Sequence, residues 1–359
     1  MTSPAFRVLV VLGFVTAGAA ALLWWAPGAP EAQDPGVAQV VERDTGVDSD
    51  RTVAPARDGW TGIGHEGLDL GGFFQPRGIA GLPDGGFIVV DRKARVQRFD
   101  ARGRAVSVWS MSDHALGNPK DIDLLPNGNL LVVDTHYGRV LEMTLDGAIA
   151  RQWGDSGLEP GRFTHPIAVA VDLKRRVAYV AEYGAYNDRI QKFDAAGVLL
   201  KVWGAFGDQP GQMRRPSGLA VDPQGDLWVA DSVNHRLQKF DPEGRLLGVY
   251  GEMGDGPGQL RFPYDLDCDS KGRIYVAEFG NHRVSVYNAD GTFARHLGGP
   301  GDALGRFHCP WSLAVDDADR LLVSDTANHR VQTLDLSKAA DGRVAKAPAA
   351  NGAGAAHAR

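Results

Sequence analysis

The chain has 359 residues, with 38 Lys and Arg against 44 Asp and Glu, for a formal net charge of −6. That balance argues against a general nucleic-acid binder, because neutralising phosphates needs a concentrated basic surface. The two cysteines cannot build a disulfide framework or a multi-cysteine zinc module, while 43% hydrophobic content suffices for a large core and 46 glycines spaced between short apolar runs point to many tight turns.

From the N-terminus, Val8 to Ala26 is an uncharged run preceded by Arg7 and closing on Trp24 and Trp25, with Glu31 and Asp34 beyond it. Such a run can cross a bilayer, and its flanking charges place the remainder outside the cytoplasm. The expectation is a signal anchor over residues 1–26, with secretion after cleavage as the alternative; Pro27 and Pro30 stand where a cleavage site wants small residues. Residues 27–58, rich in Ala, Pro, Asp and Val, predict a disordered linker. The Ala/Gly/Lys/Arg-rich residues 338–359 predict a disordered tail.

Between these lies a repeat of about 47 residues, a period in the propeller range. One ladder is a proline opening an alternating apolar strand: Pro76, Pro119, Pro166, Pro216, Pro263 and Pro310. A second is an acid closing the next strand: Asp91, Asp134, Glu182, Asp231, Glu278 and Asp325. A third is an arginine shortly after: Arg95, Arg139, Arg189, Arg236, Arg283 and Arg330. Within one unit, turns at Pro223-Gln224-Gly225, Asn234-His235-Arg236 and Asp241-Pro242-Glu243-Gly244 separate four short strands, a meander. One such sheet cannot bury both faces, so successive sheets must pack around an axis. The predicted fold is an all-β, six-bladed β-propeller of four-stranded antiparallel blades over residues 59–337, preceded by one transmembrane helix. Large residues mark the outer strands at Trp109, Trp153, Trp203, Tyr250 and Leu297, and the last repeat runs out near Leu336 with three strands. Trp60 is therefore expected to supply the missing outer strand and join chain start to chain end.

Asn234-His235-Arg236, Asn281-His282-Arg283 and Asn328-His329-Arg330, each following an acidic strand end, resemble the NHL repeat family. The resemblance covers about three quarters of the chain and speaks for the fold rather than for one activity. There is also a similarity to the exported six-bladed peptidyl-hydroxyglycine amidating lyases, whose zinc histidines follow the inner-strand proline. The matching residues here are Arg77, Lys120, Ile167, Ser217, Tyr264 and Trp311, none a histidine. Calcium-dependent sugar lactonases share the architecture; Asp121 and Asp265 are available to such a site but complete no ligand set.

The acid, arginine and histidine ladders recur in register, as blade-forming contacts should. The post-proline residues vary, as a binding funnel should. Arg77, Lys120, Ser217, Tyr264 and Trp311 are accordingly the candidate ligand- or partner-binding residues at the channel mouth, two cations for an anionic group and two rings for flat apolar contact. Arg92, Lys93, Arg98, Arg102 and Arg104 form a second candidate, a patch for an anionic partner. His165, His308 and Cys309 precede inner-strand prolines and are the metal candidates, disfavoured because His165 belongs across the channel from the other two. No catalytic residue and no cofactor is predicted, with calcium or zinc left open. The expected function is a membrane-tethered, extracytoplasmic binding or scaffold propeller that takes a protein partner or small ligand and no nucleic acid; the alternative is a metal-dependent lyase or lactonase.

Overall fold

The computed structural model describes residues 59–111 and 119–339. The expected anchor over 1–26, the linker over 27–58 and the tail beyond residue 339 lie outside the described residues. Among the described residues no helix is long and apolar enough to cross a membrane. A short helix, Leu336–Ala339, carries regular backbone past Lys338, where the tail was expected to begin.

The fold consists of six four-stranded antiparallel sheets, with a short parallel pair between His65–Glu66 and Gly72–Phe73 beside them. In blade 4 the strands Pro216–Val221, Leu227–Asp231, Arg236–Phe240 and Leu246–Tyr250 follow one another from innermost to outermost. Blades 1, 2, 3 and 5 repeat this meander, with inner strands Pro76–Gly81, Asp121–Leu124, His165–Asp172 and Pro263–Cys268. Because each sheet is covered on both faces, its second strand reads as an unbroken apolar run, such as Phe87-Ile88-Val89-Val90 or Leu227-Trp228-Val229-Ala230, every residue buried. The core is correspondingly divided into six clusters, each straddling one seam between neighbouring blades.

The sixth blade is assembled from both ends of the propeller. Leu313–Val315, Arg320–Asp325 and Arg330–Asp335 are joined by Trp60–Ile63, which pairs Trp60 with Leu334 and Ile63 with Val331. Trp60 is 2% exposed and meets the Phe307 ring edge-on at 5.3 Å. The edge that would otherwise invite association is thus paired within the chain.

Each second strand ends in a carboxylate at most 1% exposed, and the arginine that opens the third strand neutralises it. Arg236 Nε donates to Asp231 at 2.7 Å, Arg189 Nε to Glu182 at 2.6 Å, Arg283 Nε to Glu278 at 2.6 Å and Arg330 Nε to Asp325 at 2.7 Å. The rest of the guanidinium reaches the incoming loop: Arg236 also donates to the carbonyls of Asp208, Gln209 and Gln212. Gln238 adds donations to Gln212 O and Asp231 and accepts the Gly211 N–H. Five of the incoming loops are plugged into the core by a fully buried side chain, Phe73, Phe163, Met213, Leu260 or Phe307, nine positions after a glycine, a ladder absent from the sequence expectations.

The histidine of the Asn-His-Arg turn latches one blade to the next. His235 Nδ1 accepts the Phe262 N–H at 3.0 Å, and His282 Nδ1 accepts the Cys309 N–H at 2.9 Å. His329 Nδ1 makes the longer contact to the Gln75 N–H at 3.4 Å across the ring closure. Asp188 replaces the histidine in blade 3, accepting the Arg215 N–H at 2.5 Å. These contacts put the turns and the chain leading into each inner strand on one face, as expected from chain direction.

If the Trp60 strand is the seam, Trp60→Ala should cost about 3–5 kcal/mol in denaturant unfolding, the range for truncating a buried aromatic. Leu247→Ala, at a side chain 44% exposed, is the control and should change little. Equal losses in the two variants would contradict the closure.

Candidate functional site

Trp311 is the platform of the channel mouth. The Arg77 guanidinium carbon lies 4.5 Å from the centre of its indole and Lys120 Nζ 5.7 Å, while Tyr264 meets it edge-on at 4.9 Å. Phe279 stacks on Tyr264 at 4.5 Å and backs the indole at 5.9 Å. Four of the five predicted mouth residues therefore converge, brought together from the inner strands of blades 1 and 5 and from the segments leading into those of blades 2 and 6. Ser217 does not join them, since its hydroxyl bonds Ser232 Oγ at 2.6 Å and the Arg215 carbonyl at 3.1 Å within its own blade. Ile167 is 2% exposed and packs into the seam between blades 3 and 4.

Arg215 takes the place sequence reading assigned to Ser217. Its guanidinium carbon sits 5.3 Å from the ring centres of both Tyr183 and Tyr264, a bridge across the mouth. It was missed because it precedes its proline, in left-handed backbone with φ 55° that turns it toward the channel side. The mouth thus gathers three cations among aromatic faces. Burial first, then Arg77, Arg215 and Arg92, lowers the Lys120 pKa to about 7. Arg77 is lowered to about 10, by burial first and then by Arg92 and Arg215. Burial and neighbouring like charges both disfavour the protonated form of a basic side chain, and both act here.

Beneath the mouth the channel wall carries four inward carboxylates. Asp121 accepts the N–H groups of Ile122 and Val169, and Asp123 those of Leu124 and Val171, stitching blade 2 to blade 3. On the other side Asp265 accepts from Leu266, Leu313 and the Ser312 hydroxyl, and Asp267 from Cys268 and Val315. The preceding blade must be glycine here: a Cβ on Gly218 would lie 2.5 Å from Asp265 Cα. Burial dominates their ionisation. It holds Asp121 and Asp265 well above the ordinary carboxylate range, aided at Asp121 by the facing Asp265, and pushes Asp123 to about 6 and Asp267 to about 7. These oxygens are committed to neighbouring strands, which makes the carboxylates parts of the wall.

The metal candidates separate. His165 stacks on Tyr183 at 5.3 Å and lies 6.5 Å from His136, in blades 2 and 3. His308 and Cys309 instead meet His282, the three ligand atoms lying within 4.8 Å of one another. The donor set fits a metal poorly. His282 Nδ1 already accepts the Cys309 N–H, which fixes the neutral ring with its proton on Nε2, so neither nitrogen can ligate unless the latch opens. Burial also raises the Cys309 thiol above its ordinary pKa.

The predicted basic patch separates as well. Arg92 donates to Gln75 Oε1 at 2.8 Å and Lys93 Nζ lies 4.9 Å from the Phe74 ring, both on the mouth face. The strand Arg95–Phe99 carries the chain to the other end of the blade, where Arg104 pairs with Asp100 at 2.8 Å and the Arg102 N–H caps the same carboxylate. Arg98 pairs with Asp84 at 2.7 Å. The five residues present no common surface.

Three NHL repeats match the family's model, at residues 213–240, 260–287 and 307–334, beginning at the loop plugs Met213, Leu260 and Phe307. The protein is a six-bladed β-propeller that contains three NHL repeats. No functionally curated protein matches the sequence. Among solved structures, the chain resembles a virginiamycin B lyase from Staphylococcus aureus bound to quinupristin, at 12% identity and TM-score 0.53 over 77% of this chain and 88% of that one. It resembles a gluconolactonase from Xanthomonas campestris at 15% identity and TM-score 0.55, over 74% and 86% of the two chains. A calcium-binding regucalcin from Agrobacterium tumefaciens matches at 16% identity and TM-score 0.53, over 74% and 91%. At these identities the likeness is one of fold.

The wall carboxylates predict a pH dependence. A carboxyl whose folded pKa is raised above its unfolded value binds more protons in the folded state, so stability is lost as pH rises through the folded pKa. The urea midpoint should fall from about pH 6 to about pH 8 and level off above. Asp267→Asn should flatten that fall; the wild-type slope in this variant would dismiss the carboxylate as its origin.

Proposed function

We propose that the protein is a ligand-binding propeller whose channel mouth takes an anion attached to a flat apolar group. The observation that carries this reading is the convergence of Arg77, Lys120 and Arg215 on the rings of Trp311 and Tyr264. A carboxylate or phosphate there would accept charge-assisted hydrogen bonds from these side chains, and the rings would cover its apolar part. The uncharged run from Val8 to Ala26 with Arg7 before it supports a tethered, extracytoplasmic setting for this face. A metal-dependent lyase or lactonase has the fold in its favour, whereas the post-proline positions hold no histidine and His282 is engaged in a latch.

Benzoate and its uncharged analogue benzamide test the reading by calorimetric titration. Benzoate should bind saturably, benzamide at least about tenfold more weakly, and Arg77→Met or Arg215→Met should each weaken benzoate about tenfold or more, the worth of one charge-assisted hydrogen bond. Trp311→Ala should weaken both compounds. Equal affinity for the two compounds would remove the anion site.

A further inference from the structure

The seams between blades are filled from one repeated position, four residues before the buried acid that ends each second strand. Phe87, Leu130, Leu227, Ile274 and Leu321 stand there in five blades, each pressed into the seam with the preceding blade. Blade 3 has Ala178 instead. The missing side chain leaves a cavity of about 310 Å³ between blades 2 and 3, walled by Leu125, Leu131, Trp153, Val171 and Ala178. The seam between blades 1 and 2 is the natural control: Leu82 stands where Leu125 does, and Leu130 takes the space that Ala178 leaves. In blades 3 to 6 the place of Leu125 belongs to Asp172, Asp222, Asp269 and Asp316, each ion-paired, so an apolar wall at this end of a seam is confined to the first two blades.

Two of the polar groups around the cavity are engaged. Glu142 accepts from the side chains of Asn127, Asn129 and Arg151, and Asp194 caps its own turn by accepting the Ala196 and Val198 N–H groups. Arg176 is different. The turn of blade 3 is one residue longer than the corresponding turns, and Arg176 lies two residues before Ala178, where Gly85, Gly128, Gly225 and Gly272 stand in four other blades and Asp319 in the sixth. At φ 56° it holds left-handed backbone that favours glycine, a strain that a side chain of that size does not need for turning the chain. It lines the cavity, is exposed, and makes no side-chain hydrogen bond or ion pair among the described residues. We propose that this seam binds a free aliphatic monocarboxylate, its chain in the space that Ala178 leaves and its carboxylate on Arg176. The vacant volume is that of an aliphatic side chain between mostly aliphatic walls, and it lies in the size range of small-molecule sites. The turns between first and second strands lie opposite the Asn-His-Arg turns, so this site is on the far face from the mouth and is independent of the anion reading there.

Calorimetric titration of the full chain with hexanoate, octanoate and octan-1-ol is the test. Octanoate should bind saturably, and hexanoate more weakly by about fourfold for each methylene removed. Octan-1-ol should bind about tenfold or more below octanoate, the worth of the charge-assisted contact, and Arg176→Met should bring octanoate down to the level of the alcohol. Ala178→Leu restores the side chain that other blades carry; it should weaken octanoate at least about tenfold while the thermal unfolding midpoint stays or rises. If that variant overpacks and unfolds, Arg176→Met, at an exposed side chain, still decides the matter. Absence of saturable octanoate binding overturns the proposal, as does wild-type octanoate affinity in folded Ala178→Leu. Equal affinity for octanoate and octan-1-ol, or wild-type octanoate affinity in Arg176→Met, overturns the carboxylate class.

Discussion

A carboxylate buried at the end of every second strand is the constraint on which the propeller depends. An uncompensated charge in that position would be prohibitive, so each blade must bring an arginine to it. The arginine has more donors than one carboxylate can use, and the surplus is spent on carbonyls of the incoming loop, as with Arg236 and residues 208, 209 and 212. One ionic contact thereby fixes strand ends and loop path together. The loop path in turn sets where the next inner strand begins, and the six inner strands set the mouth.

The same economy explains the histidines. A ring in left-handed backbone at the end of a tight turn, φ 56° at His235 and 54° at His282, projects toward the next blade and accepts the N–H preceding its inner strand. Acceptance requires the neutral ring, and burial lowers the pKa of both histidines. The electrostatics that make a good latch therefore leave a poor metal ligand, even where His308 and Cys309 stand close by. Asp188 performs the same task without a histidine, so the requirement is for an acceptor at that place, and NHL-like turns are one way of meeting it.

What was legible in the sequence was whatever the blade needs six times over. Proline, acid and arginine ladders, and the strand around Trp60, are repeated answers to one geometric demand, so period alone exposed them. The loop plugs were equally periodic but hidden by their chemistry, since Phe, Met and Leu are interchangeable fillers and leave no single letter in register. Mouth residues were legible only in part. Arg77, Lys120, Tyr264 and Trp311 follow their prolines into the channel, whereas Ser217 turns into its own blade and Arg215, one residue before its proline, swings in by way of a left-handed φ. The basic cluster of blade 1 was misleading for a related reason: residues close in sequence lie at opposite ends of a blade once a five-residue strand runs between them.

Structural neighbours with lyase, lactonase and calcium-binding descriptions share this fold, so the fold alone does not set what a propeller does. In this chain the axis is occupied by two opposed demands. The wall holds four carboxylates whose oxygens are used up by neighbouring N–H groups, and the mouth above holds three cations resting on aromatic faces. Burial raises the wall's carboxyl pKa values, so these groups take up protons at a higher pH than exposed carboxylates do. The residues that vary from blade to blade gather at the mouth, so the mouth, and not the ladders, is where this propeller departs most from its own repeat.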